Sequence, residues 1–115
     1  MARISQSAAE KFRQKKKCTT SNTTVVVDAN GNTSMFLFGN RIACLTHDDR
    51  LFITTAGWVT ATTFARLREI TGVPMSRRGG NPSIGGYDWD GRWIEIINAS
   101  PVMMISKNDP PEVAD

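Results

Sequence analysis

Between residues 23 and 55, short β-branched or apolar runs alternate with clusters of turn residues at intervals of about ten residues, a spacing that points to an antiparallel meander. Thr23 to Asp28 is dense in β-branched side chains, which suit a pleated, half-buried surface. Asp28-Ala29-Asn30-Gly31 supplies a turn, and Ser34 to Phe38 is the return strand. Gly39-Asn40 separates it from a third strand over Arg41 to Thr46, and the polar loop His47 to Arg50 leads to a fourth over Leu51 to Thr55. Within the second strand Met35 and Leu37 point one way, Phe36 and Phe38 the other. A strand that meets water on one side alternates apolar and polar residues, so this one is expected to be covered on both faces.

One cover is available downstream. Thr62 or Thr63 is a suitable helix N-cap, Phe64, Leu67 and Ile70 recur on one face, and Gly72 stands where a left-handed C-cap belongs, with Pro74 blocking resumption. The second cover is the N-terminal helix, another subunit or a partner. That helix is read over Ser5 to Lys17. Ser7 and Glu10 have capping-box spacing, and Ile4, Ala8 and Phe12 form a narrow apolar stripe. With Phe12 as its one large anchor it is expected to dock weakly, and Cys18 to Asn22 reads as a linker. Further on, Met75 to Arg78 reads as a strand, Arg77 to Pro82 as a flexible loop, and Tyr87–Trp89 with Trp93–Ile97 as a hairpin around Asp90-Gly91. Trp89 and Trp93 would pack across that hairpin. The resulting expectation is an α+β fold: a basic N-terminal helix, a meander of about four strands, one short helix on it and a C-terminal hairpin. Residues 1–22 form the helix and linker, 23–106 a single domain, and 107–115 a disordered acidic tail.

A chain of 115 residues has room for one domain. At 40% hydrophobic residues its composition is that of a soluble folded protein. No apolar run nears the roughly 20 residues of a spanning helix, and no secretory leader pattern is present, so no membrane role is expected. Two cysteines are too few for a disulfide framework. The net charge of +3 is uneven: residues 1–17 carry six basic side chains against Glu10 (+5), residues 18–106 carry seven of each sign (0), and residues 107–115 carry Lys107 against three acids (−2). The basic segment, with Arg13, Lys15, Lys16 and Lys17, could contact phosphates through counterion release, or simply be a solvated helix end.

Catalytic and metal constellations are thin. Cys44-x-x-His47 offers two metal ligands where structural zinc needs four, and a buried strand thiol is the ordinary reading of Cys44. Asp88-x-Asp90-Gly91 lacks the remaining positions of a calcium loop. With one histidine and no phosphate-binding glycine loop, neither enzyme activity nor a cofactor or metal is expected. The remaining candidates are contact residues. Trp89 and Trp93 beside Arg77, Arg78 and Arg92 would anchor a partner protein or stack on bases, unless they serve as core.

Several segments carry a resemblance: Asn22-Thr23 with Val25, Leu37-Phe38-Gly39-Asn40 with Ile42-Ala43, Ile53-Thr54-Thr55-Ala56-Gly57-Trp58, Thr62-Thr63 with Arg66-Leu67, and Trp89-Asp90-Gly91 with Trp93. In these the chain resembles an uncharacterised family of small proteins encoded by tailed bacteriophages. Arg68 replaces an asparagine of that pattern, and the stretch from Arg77 to Tyr87 is longer. The resemblance implies a viral origin and expression in the host bacterial cytoplasm, and no reaction. Arg66 would tie the fold together internally or contact a partner. The expected function is a small non-catalytic phage protein that binds a host macromolecule, foremost a host protein, as an inhibitor or counter-defence factor of the anti-CRISPR type. The alternatives are a small nucleic-acid-binding protein using the basic N-terminal helix, and a homo-oligomeric assembly or virion component.

Overall fold

The computed structural model describes residues 4–20, 22–58, 60–78, 81–97, 100–101 and 110–113, with 4–7, 77, 78, 81, 87, 100 and 101 described by backbone alone. Among the described residues ten short strands and two helices make an α+β fold. Helix α1 (Ile4–Arg13) precedes β1 (Cys18–Thr19), β2 (Thr23–Val27), β3 (Thr33–Leu37), β4 (Asn40–Leu45) and β5 (Leu51–Ile53). Helix α2 (Ala61–Thr71) follows, then β6 (Met75–Arg78), β7 (Asn81–Ile84), β8 (Tyr87–Asp88), β9 (Ile94–Ile97) and β10 (Ser100–Pro101). The main antiparallel sheet runs β1-β2-β3-β4-β5-β9-β10, and β6-β7-β8 form a second.

The meander β2–β5 lies where the turn signals put it. Asp28 Oδ1 accepts from the backbone N–H groups of Asn30 and Asn32, closing the first turn through a short polar side chain. The sheet is longer than four strands, because two-residue β1 and β10 extend its edges and β9 adds to β5. The segment read as a linker is therefore partly β1, paired with Thr24 and Val25.

Both helices pack on one face of this sheet. Ala8, Ala9 and Phe12 of α1 share a single core with Phe64, Leu67 and Ile70 of α2 and with Met35, Leu37, Ala43, Ile53 and Ile94 of the strands. Phe12 is 0% exposed, so the expected weak docking is corrected: small Ala8 and Ala9 let the helix approach closely, and one phenylalanine fills the space they leave. Helix α1 also ends at Arg13, short of Lys17. Lys15 adopts φ 58, its N–H bonds to the Phe12 carbonyl, and the Lys16 N–H reaches back to Lys11. These are the two bonds of a Schellman cap, made here without glycine. The side chains of Ile4 and Ser7, expected in the stripe and capping box, lie outside the described residues.

Helix α2 starts earlier than expected. Thr60 is the N-cap, its hydroxyl accepting from the Thr63 N–H, and Gly72 closes the helix at φ 73 with its N–H on the Arg68 carbonyl. After Pro74 come three short antiparallel strands. Arg78 pairs with Asn81 and Ile84 with Tyr87, so Arg77, Arg78 and Pro82 belong to strands and not to a loop. The expected C-terminal hairpin does not form: β8 pairs with β7, whereas β9 lies between β5 and β10. Asp90-Gly91 instead makes a bend docked on the end of β5, where the Gly91 carbonyl accepts from the Thr55 N–H (3.0 Å) and the Thr54 hydroxyl (2.6 Å). A Cβ at Gly91, which sits at φ 84, would collide with Thr55 Oγ1.

The sheet's other face is sheltered too, in part by its own side chains. Ser34, Cys44, Phe52 and Glu95 share it across β3, β4, β5 and β9. Cys44 and Phe52 are buried there, outside the principal core. The Arg50 guanidinium lies over the Phe52 ring at 5.1 Å and is held by both Glu95 oxygens at 3.0 and 3.1 Å. Arg41 stands over Trp93 at 5.5 Å and donates to Ser34. Of the two phenylalanines assigned to this face, Phe36 is half-buried. Phe38 is mostly exposed, at 69%, and that expectation is corrected. Of the expected tail, residues 107–109, 114 and 115 lie outside the described residues.

Candidate functional site

The feature that stands out is built by two tight turns. Leu37 pairs with Asn40, so Phe38-Gly39 is a two-residue hairpin turn, and both residues have positive φ, 50 and 82. Ala56-Gly57 repeats this geometry, with φ 54 and 83 and the Trp58 N–H bonded to the Thr55 carbonyl at 2.9 Å. Positive φ at both central positions marks type I′ turns, whose first position favours Asn, Asp or Gly. A phenylalanine there is strained, since its Cβ crowds the backbone. The surroundings enforce it: the Phe38 N–H donates to the Asn22 carbonyl at 2.8 Å. Meanwhile Asn22 Oδ1 takes the Arg66 guanidinium at 3.1 Å, and Arg66 Nε donates to the Thr23 hydroxyl at 3.0 Å.

The result is an open cleft of about 410 Å³ between the β3–β4 turn and the start of α2. Phe38 and Trp58 stand on its walls, and Trp58 is 57% exposed. Leu37 and Ile42 form its buried apolar floor. Threonines 55, 60, 62 and 63 contribute methyl groups and hydroxyls, and Asn40 an amide. Among the described lining residues none is charged.

The residues singled out from sequence fare differently. Arg66 is buried and ties α2 to the start of β2, so its internal role is the one the structure shows. Trp89 is core: it meets Phe64 edge-on at 6.5 Å and its indole N–H donates to the Arg92 carbonyl. Trp93 lies under Arg41, away from Trp89, because the bend at Asp90-Gly91 sends the chain to a different sheet. Arg92 is exposed and pairs locally with Asp90 at 2.9 Å. Arg13 donates to the Glu69 carbonyl near the end of α2, and Lys15 bonds Asp49 at 2.6 Å, so both help to dock α1. Lys16 and Lys17 are exposed. Arg77 and Arg78 lie on β6, and their side chains fall outside the described residues. The named residues whose side chains are described thus do not assemble into one surface.

Phe38 and Trp58 are not among the site residues that the sequence singles out. Phe38-Gly39 could have signalled the cleft, since Leu37 pairing with Asn40 forces a bulky residue into a turn that expels its side chain. Among the described residues no cluster of His, Cys, Asp or Glu could hold a metal. Burial pushes the Cys44 thiol above its ordinary pKa, an effect the Arg41 charge and hydrogen bonds from Ser34 and Arg41 offset only in part.

Many of the segments that carried the resemblance converge here. Leu37, Phe38, Asn40, Ile42, Thr55, Trp58, Thr62 and Thr63 line the cleft, while Asn22, Thr23 and Arg66 brace its rim. A family model described as Kyanoviridae Gp96 protein matches residues 1–93. The chain belongs to the Kyanoviridae Gp96 protein family. It is a bacteriophage protein. Comparison with curated proteins finds no match, and neither does comparison with solved structures. Among the described residues no helix is long and apolar enough to cross a membrane.

Proposed function

We propose that this phage protein is non-catalytic and acts by binding a protein of the infected bacterium through the Phe38–Trp58 cleft. One observation carries the reading: two large aromatic side chains that line an apolar cleft stand exposed, one of them on a backbone conformation that disfavours it. Aromatic residues in well-packed pockets dominate binding energy at protein interfaces, and strain retained at a surface turn is a mark of function. The body is electrically neutral, which suits a protein partner more than a nucleic acid. An inhibitor of a host target fits this mode of action. The basic end of α1 supports a second reading, nucleic-acid binding, through exposed Lys16 and Lys17; the internal engagement of Arg13 and Lys15 leaves it a smaller footprint.

The test is affinity capture of the tagged protein from infected cells, with and without nuclease, beside a Phe38→Ser/Trp58→Ser variant. A stoichiometric bacterial protein that survives nuclease and is lost with the variant is expected. Recovery of nucleic acid alone, or a partner retained by the double variant, contradicts the reading.

A further inference from the structure

Taking the cleft as the docking site, we propose that it receives uncharged, apolar side chains from a short segment of the partner protein. Charge decides the class of occupant. A nucleotide brings a phosphate, and an acidic or basic side chain brings an ion. Each would be partly desolvated in a cleft whose described lining holds no countercharge, at a cost that only pairing offsets. Arg13 and Lys15 are engaged elsewhere, Lys16 and Lys17 are exposed beyond the end of α1, and Arg66 is held on Asn22 and Thr23. An apolar side chain meets the opposite conditions. It would cover Leu37 and Ile42, pack against Phe38 and Trp58, and add to the apolar area removed from water.

Size and polarity refine the proposal. A cleft of about 410 Å³ lies at the small end of the roughly 300–1,000 Å³ found for ligand sites, room for one or two side chains. The Asn40 amide and the Thr62 hydroxyl at its edge can pair with the backbone of the segment that carries those side chains. The hydrogen bond from the Phe38 N–H to the Asn22 carbonyl holds the turn backbone in place before binding, so the partner does not bear the cost of ordering that backbone.

The experiment is an NMR titration of ¹⁵N-labelled protein with four probes: N-acetyl-leucine amide, N-acetyl-phenylalanine amide, N-acetyl-glutamate amide and a thymidine octanucleotide. The two apolar amides are expected to shift the Leu37 and Asn40 amides and the Trp58 indole, with midpoints unchanged between low and high salt. The glutamate probe should bind at least tenfold more weakly, and Phe38→Ser or Trp58→Ser should each weaken the apolar amides at least tenfold while leaving the remaining spectrum in place. No cleft shift with either apolar amide overturns the proposal. So does a cleft response to the octanucleotide, and so does a cleft response to simple dilution, which would put a second copy there. A partner captured in a Phe38- and Trp58-dependent way, with no response to the amides, would remove this chemistry and leave the binding function standing.

Discussion

Replacing Phe38 with asparagine separates a residue kept for stability from one kept for contact. At 69% exposure the ring buries about a third of its surface, roughly 60 Å² of the ~200 Å² a phenylalanine can bury. At ~25 cal/mol per Å² that is about 1.5 kcal/mol, an upper estimate. Against it stands the left-handed conformation, φ 50, which costs a bulky L-residue about 1–2 kcal/mol and which asparagine adopts readily. Asn-Gly is, moreover, the favoured pair for a type I′ turn. The two effects cancel, so Phe38→Asn should unfold in urea within about 1 kcal/mol of the parent, followed by tryptophan fluorescence. Phe12→Ala, by contrast, empties a fully buried site and should lose about 3–5 kcal/mol. The same Phe38→Asn variant should fail to capture the partner. A loss of 2 kcal/mol or more would show the ring to be a packing residue, and the reasoning would fall.

Three further outcomes are expected. Arg66→Met should cost about 1–3 kcal/mol by urea unfolding, because Asn22 Oδ1 and the Thr23 hydroxyl lose a donor, and it should shift the Phe38 amide resonance through Asn22; an unchanged Phe38 resonance would contradict the brace. With an aromatic disulfide reagent the native protein should release one equivalent, from half-buried Cys18, and a second only in denaturant, since Cys44 is buried with a raised pKa; two rapid equivalents would contradict that. The Thr46 hydroxyl holds the Asp48 carboxyl below its ordinary pKa, so this contact stabilises the fold above the ordinary carboxylate range and is lost as pH falls through the lowered value. Thr46→Val should therefore lose the most, relative to the parent, near neutral pH, and the gap should narrow in acid; a gap independent of pH would contradict the assignment.

What could be read from residues alone follows from how local its causes are. Strands β2 to β5 and the Gly72 cap rest on turn chemistry and β-branched runs, and they lie where those signals put them. The Asp90-Gly91 hairpin was misread because the dipeptide is local evidence for a turn and silent on the partner. Thr54 and Thr55, some 36 residues upstream, take up the Gly91 carbonyl and carry the chain to β5. Helix α1 was underrated because Ala8 and Ala9 look inert in sequence, whereas their smallness is what lets Phe12 reach the core. The cleft is hidden for a different and local reason. Strict alternation put Phe38 on a strand face, but the Leu37–Asn40 pairing turns the chain there and swings the ring outward. Arg66 was legible as an exception on an apolar helix face, and its acceptors, 43 and 44 residues away, were not.

The central claim is that the chain meets a bacterial protein at the Phe38–Trp58 cleft and not at its lysine-bearing end. Photo-crosslinking in infected cells addresses it directly, with benzoylphenylalanine placed at position 38 and, in a parallel strain, at position 17. A single bacterial protein joined to position 38 and absent from position 17 is the result expected. Crosslinks at position 17 to nucleic acid or protein, with position 38 silent, would contradict the account.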